Sequence, residues 1–100
     1  MSRDRFSTPV WVLTGLFRSA PGTLELVQGR LRLLSGGETV FDVPRESLNR
    51  VYFPWYYFGA GVKLTLEAKT YRLSFVEPGE NGDLVRGCAA GKSWKNRLRP

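Results

Sequence analysis

The sequence has no histidine and a single cysteine, Cys88, among its 100 residues. Histidine and cysteine supply most zinc ligands, and a lone cysteine cannot form a disulfide within the chain. Histidine is also the commonest general base at neutral pH. We therefore expect no metal site, no cofactor and no enzymatic activity, and we expect Cys88 to be a small buried apolar residue. A chain without disulfides also fits a cytoplasmic protein.

Long hydrophobic runs are absent as well. No apolar run approaches the ~20 residues that a membrane-spanning helix needs. The apolar stretch over residues 10–17 is interrupted by Thr14 and Gly15, and this does not fit a signal peptide. The length suits one domain with one core. We place that domain at residues 10–98, after an N-terminal tail of residues 1–9.

Positive charge is concentrated at the C-terminal end. The chain has 15 Lys and Arg against 9 Asp and Glu, a net charge of +6, and residues 86–100 carry five cations and no acid. Lys92 and Lys95 are the lysines of this segment. Cations near the end of a helix complement the helix dipole. The same cations would attract the phosphates of nucleic acid or of an anionic membrane at the inner membrane face, so both interpretations stay open.

Apolar and polar residues alternate along most of the chain, which is typical of strands with one face in a core. The predicted strands cover residues 10–17, 23–28, 30–34, 39–43, 48–53, 62–67 and 70–76. Short turns at 28–29, 35–38 and 68–69 predict antiparallel hairpins, since a parallel pair needs a long crossover.

The apolar spacing changes near the C-terminus. Residues 83–98 have the periodicity of one amphipathic helix, with Asn81 as its N-cap. Trp94 lies on the apolar side and is expected to cover the core. Gly87 and Gly91 lower the helix propensity, which suggests that the helix backbone approaches the sheet closely there.

Four segments follow a pattern shared with a known family. Residues 22–33 look like its G-x-L-x-L-T-x-x-R-L-x-F hairpin, and residues 40–51 look like the v-x-I-P-x-x-x-I-x-x-V element that follows. Residues 64–75 are similar to its last two strands, and residues 93–98 to the Trp-containing end of its final helix. The chain thus resembles the GRAM branch of the pleckstrin-homology-like superfamily. The resemblance implies a mostly β (α+β) fold, a PH-like barrel of about seven antiparallel strands capped by one C-terminal α-helix.

Aromatic residues cluster at positions 52–58, which begin within the last two residues of the fifth predicted strand. Trp55, Tyr56, Tyr57 and Phe58 are consecutive, and on a strand only every second side chain can face the core. These rings either fill the end of the barrel or form an anchor for a protein partner or a membrane interface. Stacking on nucleic-acid bases is the remaining interpretation.

Three arginines could contact a phosphate group. Arg18 precedes the expected first inter-strand loop, where phosphoinositide-binding relatives place basic residues in clusters. Arg30 and Arg32 share one strand face and could add to such a patch. The alternative is that both are solvated on the sheet surface.

These observations predict a non-catalytic binding module. The family resemblance implies a lipid headgroup, a peptide or a partner protein as its ligand. We expect association with a protein partner or an anionic membrane lipid. Nucleic-acid binding through the basic C-terminal segment is the second hypothesis, and self-association into a homodimer is the third.

Overall fold

The structure is a computed structural model that describes residues 5–14, 18–54, 60–77 and 84–98. These described residues form seven strands and one C-terminal helix, as the sequence predicted. The elements are β1 (Phe6–Leu13), β2 (Ser19–Val27), β3 (Arg30–Ser35), β4 (Glu38–Pro44), β5 (Arg50–Tyr52), β6 (Gly61–Leu66), β7 (Lys69–Ser74) and α1 (Leu84–Arg97).

All strand pairs are antiparallel, and the strands form one sheet in the order β4-β3-β2-β1-β7-β6-β5. β4 and β5 are therefore its two edges. No ladder joins them within the described residues, so the predicted barrel is not closed by hydrogen bonds.

The sheet bends so that distant strands pack against each other. Phe41 on β4 and Tyr71 on β7 are four strand steps apart, which is about 19 Å across a flat sheet. Their ring centroids lie 5.1 Å apart. The inner face of the sheet thus wraps around one core, built on fully buried side chains such as Leu24, Leu33 and Leu64.

Hairpin turns fix the register of the sheet. Gln28 and Gly29 have φ of 52° and 78°, and Gly36 and Gly37 have φ of 61° and 78°. These positive angles match the right-handed twist of the flanking strands. The third turn lies at Glu67–Ala68, one residue earlier than predicted, with Glu67 at φ 57°.

The first two strands begin four residues earlier than the sequence predicted. β1 starts at Phe6, so residues 6–9 of the predicted tail belong to the sheet, and β2 starts at Ser19 within the predicted loop. The sequence did not predict that β1 starts before Pro9, because proline is unfavourable inside a paired strand. Pro9 lies opposite Thr23 in the ladder with β2, whereas on the other side of β1 the ladder with β7 is limited to Trp11 and Val12, so Pro9 interrupts no pairing on that side.

The fifth strand is shorter than the predicted 48–53. A 3₁₀ turn at Arg45–Ser47 follows Pro44, and its closing bond runs from the amide of Leu48 to the carbonyl of Arg45 at 3.2 Å. The ladder with β6 starts only where the amide of Asn49 donates to the carbonyl of Thr65 at 2.8 Å. β5 is therefore a three-residue edge strand next to a compact turn.

The helix packs on the core as predicted. Trp94 is fully buried, its Nε1 donates to Oγ1 of Thr8 at 2.7 Å, and its ring meets Phe6 edge-on at 4.9 Å. A Cβ built on Gly87 would collide with Cγ2 of Val76. The close approach of helix and sheet that the glycines suggested is therefore present at Gly87.

Two predictions about the helical region have other outcomes. Cys88 is only half-buried, because it lies about 120° around the helix from Trp94, which faces the core. The predicted N-cap, Asn81, lies outside the described residues. Among the residues that are described, no helix has the length and apolar character needed to cross a membrane.

Candidate functional site

The outer face of β2–β4 carries an ion-pair network. Glu25 is buried, accepts a hydrogen bond from Arg5 at 3.1 Å and forms an ion pair with Arg32 at 3.5 Å. Asp42 accepts from Nε of Arg30 at 3.0 Å and from Nε of Arg32 at 3.3 Å. Each acid thus lies between two arginines, and this half of the sheet has its charges largely balanced.

The predicted phosphate contacts Arg30 and Arg32 belong to this network. Their guanidinium groups are engaged by carboxylates of the same sheet, while the side chains of Arg30 and Arg32 stay 50% and 40% exposed, so a phosphate contact at these residues stays a prediction. The pairing of Arg32 with Glu25 follows from the hairpin at Gln28–Gly29, whereas its pairing with Asp42 depends on a register shift that the sequence does not signal. Arg18 is exposed and directly precedes β2. Its carbonyl accepts from the amide of Thr14 at 3.0 Å. Arg18 is separated in sequence from the residues of this network.

Asp42 gives the fold a defined response to acid. The hydrogen bond from Arg30, with the charges of Arg30 and Arg32, holds the pKa of Asp42 below its ordinary value of 3.8. Because the folded pKa is lowered, ionised Asp42 stabilises the fold above the unfolded pKa, and this stabilisation is lost as pH falls through the folded pKa. Asp42→Asn should flatten the decline in the free energy of unfolding below about pH 4.

Urea unfolding at a series of pH values measures this slope. Glu38→Gln is the matched control, because it removes another carboxylate from the same strand. Glu38 is not among the groups that shift the pKa of Asp42. Equal slopes for Asp42→Asn and the wild-type chain would contradict the assigned role of Asp42.

A cleft opens between the edge strand β5 and the end of α1, and we call it the edge cleft. Its volume is about 460 Å³, and its lining residues are Arg45, Leu48, Asn49, Arg50, Val51, Phe53, Lys95 and Leu98. The 3₁₀ turn brings Arg45 and Leu48 to one side of the cleft. The last helical bond, from the amide of Leu98 to the carbonyl of Trp94 at 2.8 Å, holds the other side.

The edge cleft combines an apolar floor with a basic rim. Leu48, Val51 and Phe53 pack against the core and leave part of their surface in the cleft. Arg45, Arg50 and Lys95 supply positive charge, and none of the described lining residues is acidic. Such an arrangement favours a ligand with both negative charge and apolar surface.

The structure separates the two lysines that the sequence grouped together. Lys95 lines the edge cleft, whereas Lys92 is exposed one turn earlier and is not among the lining residues. Sequence reasoning missed Arg45, Leu48 and Phe53 as site residues. Their contribution depends on a meeting of the 3₁₀ turn with the distant end of α1, and no local pattern signals it.

A second concavity of about 360 Å³ lies between β1 and α1. Its lining residues include Glu77 and Arg86, which are opposite in charge, together with Trp11 and Phe75. Since it lacks a net charge of one sign, it gives less basis for choosing a ligand class than the edge cleft does.

The outer face of β5–β7 is the third feature, and we call it the outer basic face. Arg50, Tyr52, Lys63, Thr65 and Thr70 line a shallow depression of about 260 Å³. The guanidinium of Arg50 lies 4.9 Å from the ring centroid of Tyr52. The hydroxyls of Thr65 and Thr70 are hydrogen-bonded to each other at 3.1 Å. Arg50 lines both this depression and the edge cleft.

The predicted aromatic anchor, Trp55, Tyr56, Tyr57 and Phe58, lies outside the described residues. In sequence it follows Phe53, which lines the edge cleft, and Pro54, which is buried. Across the described part of the chain, no three acidic or cysteine side chains lie close enough together to hold a metal ion.

The comparisons with known proteins add no relative. No protein-family model matches the chain, and no match emerged among curated proteins or solved structures.

Proposed function

We propose that this protein is a non-catalytic binding module that docks an extended acidic segment of a partner protein in the edge cleft. The observation that carries the proposal is the position of the cleft. An apolar floor and three cations lie beside β5, which is an edge of the sheet.

The edge strand favours an extended peptide. β5 pairs on one side with β6, and no described strand pairs with its other side. Exposed edges of this kind accept an additional strand through main-chain hydrogen bonds, while side-chain pockets give specificity. A segment lying beside Arg50–Tyr52 would have about three residues in the ladder, so the flanking cleft must contribute to affinity.

The charges favour an acidic segment with an apolar anchor. Arg45, Arg50 and Lys95 surround the floor, and complementary acids on the partner would speed its association and set its orientation. An apolar side chain between those acids would fill the space over Leu48 and Phe53. Burial of such an anchor supplies affinity that charge at an exposed rim does not.

We also propose that the chain is a PH-like domain of the GRAM branch. The sequence resemblance over residues 22–76 and 83–98 supports this proposal, and the order β4-β3-β2-β1-β7-β6-β5 with a C-terminal helix is compatible with it. A cytoplasmic location, suggested by the lone cysteine, is part of the same proposal.

A displayed peptide library tests the proposal directly. Selection on the intact chain should enrich peptides with an apolar residue flanked by Asp or Glu. Lys95→Glu should weaken binding of a selected peptide about tenfold, since it reverses one charge at the rim. The matched control is Lys92→Glu, which makes the same change one helical turn away and outside the cleft. Equal weakening by the two variants would show diffuse electrostatics and contradict the proposal.

Strand addition has its own readout. N-methylation of alternate peptide amides should abolish binding in one register and spare it in the other, because only every second amide of an added strand faces β5. Equal binding by both methylated peptides would contradict docking along the edge strand.

The remaining hypotheses are outcomes of parallel measurements. Vesicles containing phosphatidylglycerol test for an anionic lipid, a single-stranded oligonucleotide tests for nucleic acid, and light scattering tests for a homodimer. If the library yields no acidic peptide while one of these assays gives a response that Lys95→Glu removes, the cleft serves that partner and the peptide proposal is wrong.

A further inference from the structure

The outer face of the sheet carries apolar side chains that do not belong to the core. Val10 on β1 is fully buried in the core. Because side chains alternate along a strand, Pro9, Trp11 and Leu13 lie on the opposite, outer face. Among the described residues, the core cluster and the apolar side chains packed against it include neither Trp11 nor Leu13. The central strand of the sheet is thus apolar on both of its faces.

This apolar surface continues onto the two neighbouring strands. The ladder between β1 and β2 places Pro21 directly opposite Trp11. Thr23 pairs with Pro9 on one side and with Leu34 on the other. Leu34 is half-buried and, like Trp11, lies outside the core cluster. We call the surface formed by Pro9, Trp11, Leu13, Pro21 and Leu34 the outer apolar band.

The outer apolar band is rigid before it meets a partner. Directly opposite residues have Cβ atoms about 5 Å apart, so the side chains of Trp11 and Pro21 lie next to each other. A proline ring has no rotamer freedom to lose, and a tryptophan side chain has only two torsion angles. Docking of these groups therefore costs little conformational entropy. Tryptophan is also enriched among the residues that supply most of the energy of protein interfaces.

The charges beside the outer apolar band are largely balanced. Its neighbour on β2–β4 is the ion-pair network, in which each carboxylate lies between two arginines. Three arginines face two acids there, so the network has a net charge of only +1. A two-fold axis brings a surface against its own copy, and any unbalanced charge on that surface then repels itself. This face avoids most of that repulsion.

Other surfaces of the described residues suit a second copy less well. The exposed side of α1 carries Lys92, Lys95 and Arg97, and the helix contains no acid. The edge cleft has a basic rim. Two copies that met through either surface would bring like charges together. The edge of β4 is interrupted by the unpaired Val40 and ends in Pro44, and both features oppose pairing with another strand.

We propose that the outer apolar band is a homodimer interface, in which two copies of this chain pack their sheets face to face about a two-fold axis. Packed sheets lie about 10 Å apart, a space that side chains such as Trp11 and Leu34 from both copies would fill. The interface is distinct from the edge cleft, because no residue of the band lines that cleft. The proposal therefore does not depend on the docking of an acidic peptide.

Sedimentation equilibrium over a concentration series tests for the dimer. The mass of the wild-type chain should rise from that of one chain to that of two and stop there, because a two-fold interface is closed. Leu34→Lys should raise the dissociation constant of the dimer about 100-fold, which is tenfold for each of the two copies of the substitution. Trp11→Ala should raise it as well. Neither side chain belongs to the core, so urea unfolding should show that both variants fold.

Val85→Lys is the matched control. Val85 is 80% exposed on α1, so this variant also replaces an apolar residue by lysine, but away from the outer apolar band. Its mass should follow that of the wild-type chain at every concentration. A wild-type chain that stays monomeric throughout would overturn the proposal, and so would equal weakening by Leu34→Lys and Val85→Lys.

Salt and vesicles separate this interface from other uses of the same face. Since the face is apolar and nearly neutral, about 0.5 M NaCl should leave the dimer intact, whereas contacts between charged surfaces would be screened. Loss of the dimer at high salt, or a mass that grows beyond two chains, would contradict the proposal. If the chain is monomeric and sediments with phosphatidylcholine vesicles unless Trp11 is replaced, the band serves a membrane surface and the homodimer proposal is wrong.

Discussion

Replacing Trp94 with alanine is expected to lower the free energy of unfolding by about 3–5 kcal/mol. The side chain is fully buried between α1 and the sheet, contacts the Phe6 ring and donates to Thr8. Its removal would leave a cavity and an unpaired hydroxyl under the helix. A domain of this size has about 5–15 kcal/mol of stability in total, so urea unfolding should show a large drop in the midpoint.

Two milder variants divide this effect between packing and hydrogen bonding. Trp94→Phe keeps a ring in the core but loses the bond to Thr8, and Thr8→Val loses the bond from the other side. Each should cost about 1–2 kcal/mol, the range for a buried partner left unsatisfied. A Trp94→Ala variant as stable as the wild-type chain would show that α1 does not pack on the core in solution.

Replacing Gly87 with alanine should destabilise the protein by about 1–2 kcal/mol, although alanine is the better helix former. Helix propensity alone would favour alanine by about 1 kcal/mol. A Cβ at this position, however, collides with Cγ2 of Val76 and comes within 3.4 Å of Cβ of Ala60 and the backbone of Phe75. Forcing a methyl group into such a contact typically costs about 1–3 kcal/mol, which exceeds the gain once the helix must shift.

The double variant Gly87→Ala/Val76→Ala identifies the cause. Because Val76→Ala removes the atom that the new methyl group meets, the cost of Gly87→Ala should largely disappear in that background. Ala89→Gly, on the exposed side of α1, measures the propensity difference within the same helix. Additive effects of the two substitutions at 87 and 76 would contradict a steric contact between them.

The sequence predicted the strands well where polarity alternates and a tight turn fixes the pairing. Counting outward from Gln28–Gly29 places Glu25 opposite Arg32, and counting from Glu67–Ala68 places Lys63 opposite Arg72. Both pairs could therefore have been read from the sequence. The sequence indicates this third turn at 68–69, and a turn there would place Lys63 opposite Ser74 instead of Arg72.

Other features had no local signal. The pairing of Arg32 with Asp42 depends on a register shift between Leu33 and Leu34, where Val40 is left without a partner. Without that bulge, counting from Gly36–Gly37 would place Arg32 opposite Phe41. The edge cleft requires the end of α1 to meet a turn some fifty residues earlier in the chain, which periodicity cannot reveal.

Arg50 lines both the edge cleft and the outer basic face, so its guanidinium is common to the two surfaces. Its five N–H groups can engage two anionic groups at once, as those of Arg32 do between Glu25 and Asp42. A negative group bound on one side of β5 should therefore lower the affinity for a negative group on the other side, and thermodynamic reciprocity requires the factor to be the same in both directions. A sheet edge three residues long would in this way link two surfaces through a single side chain.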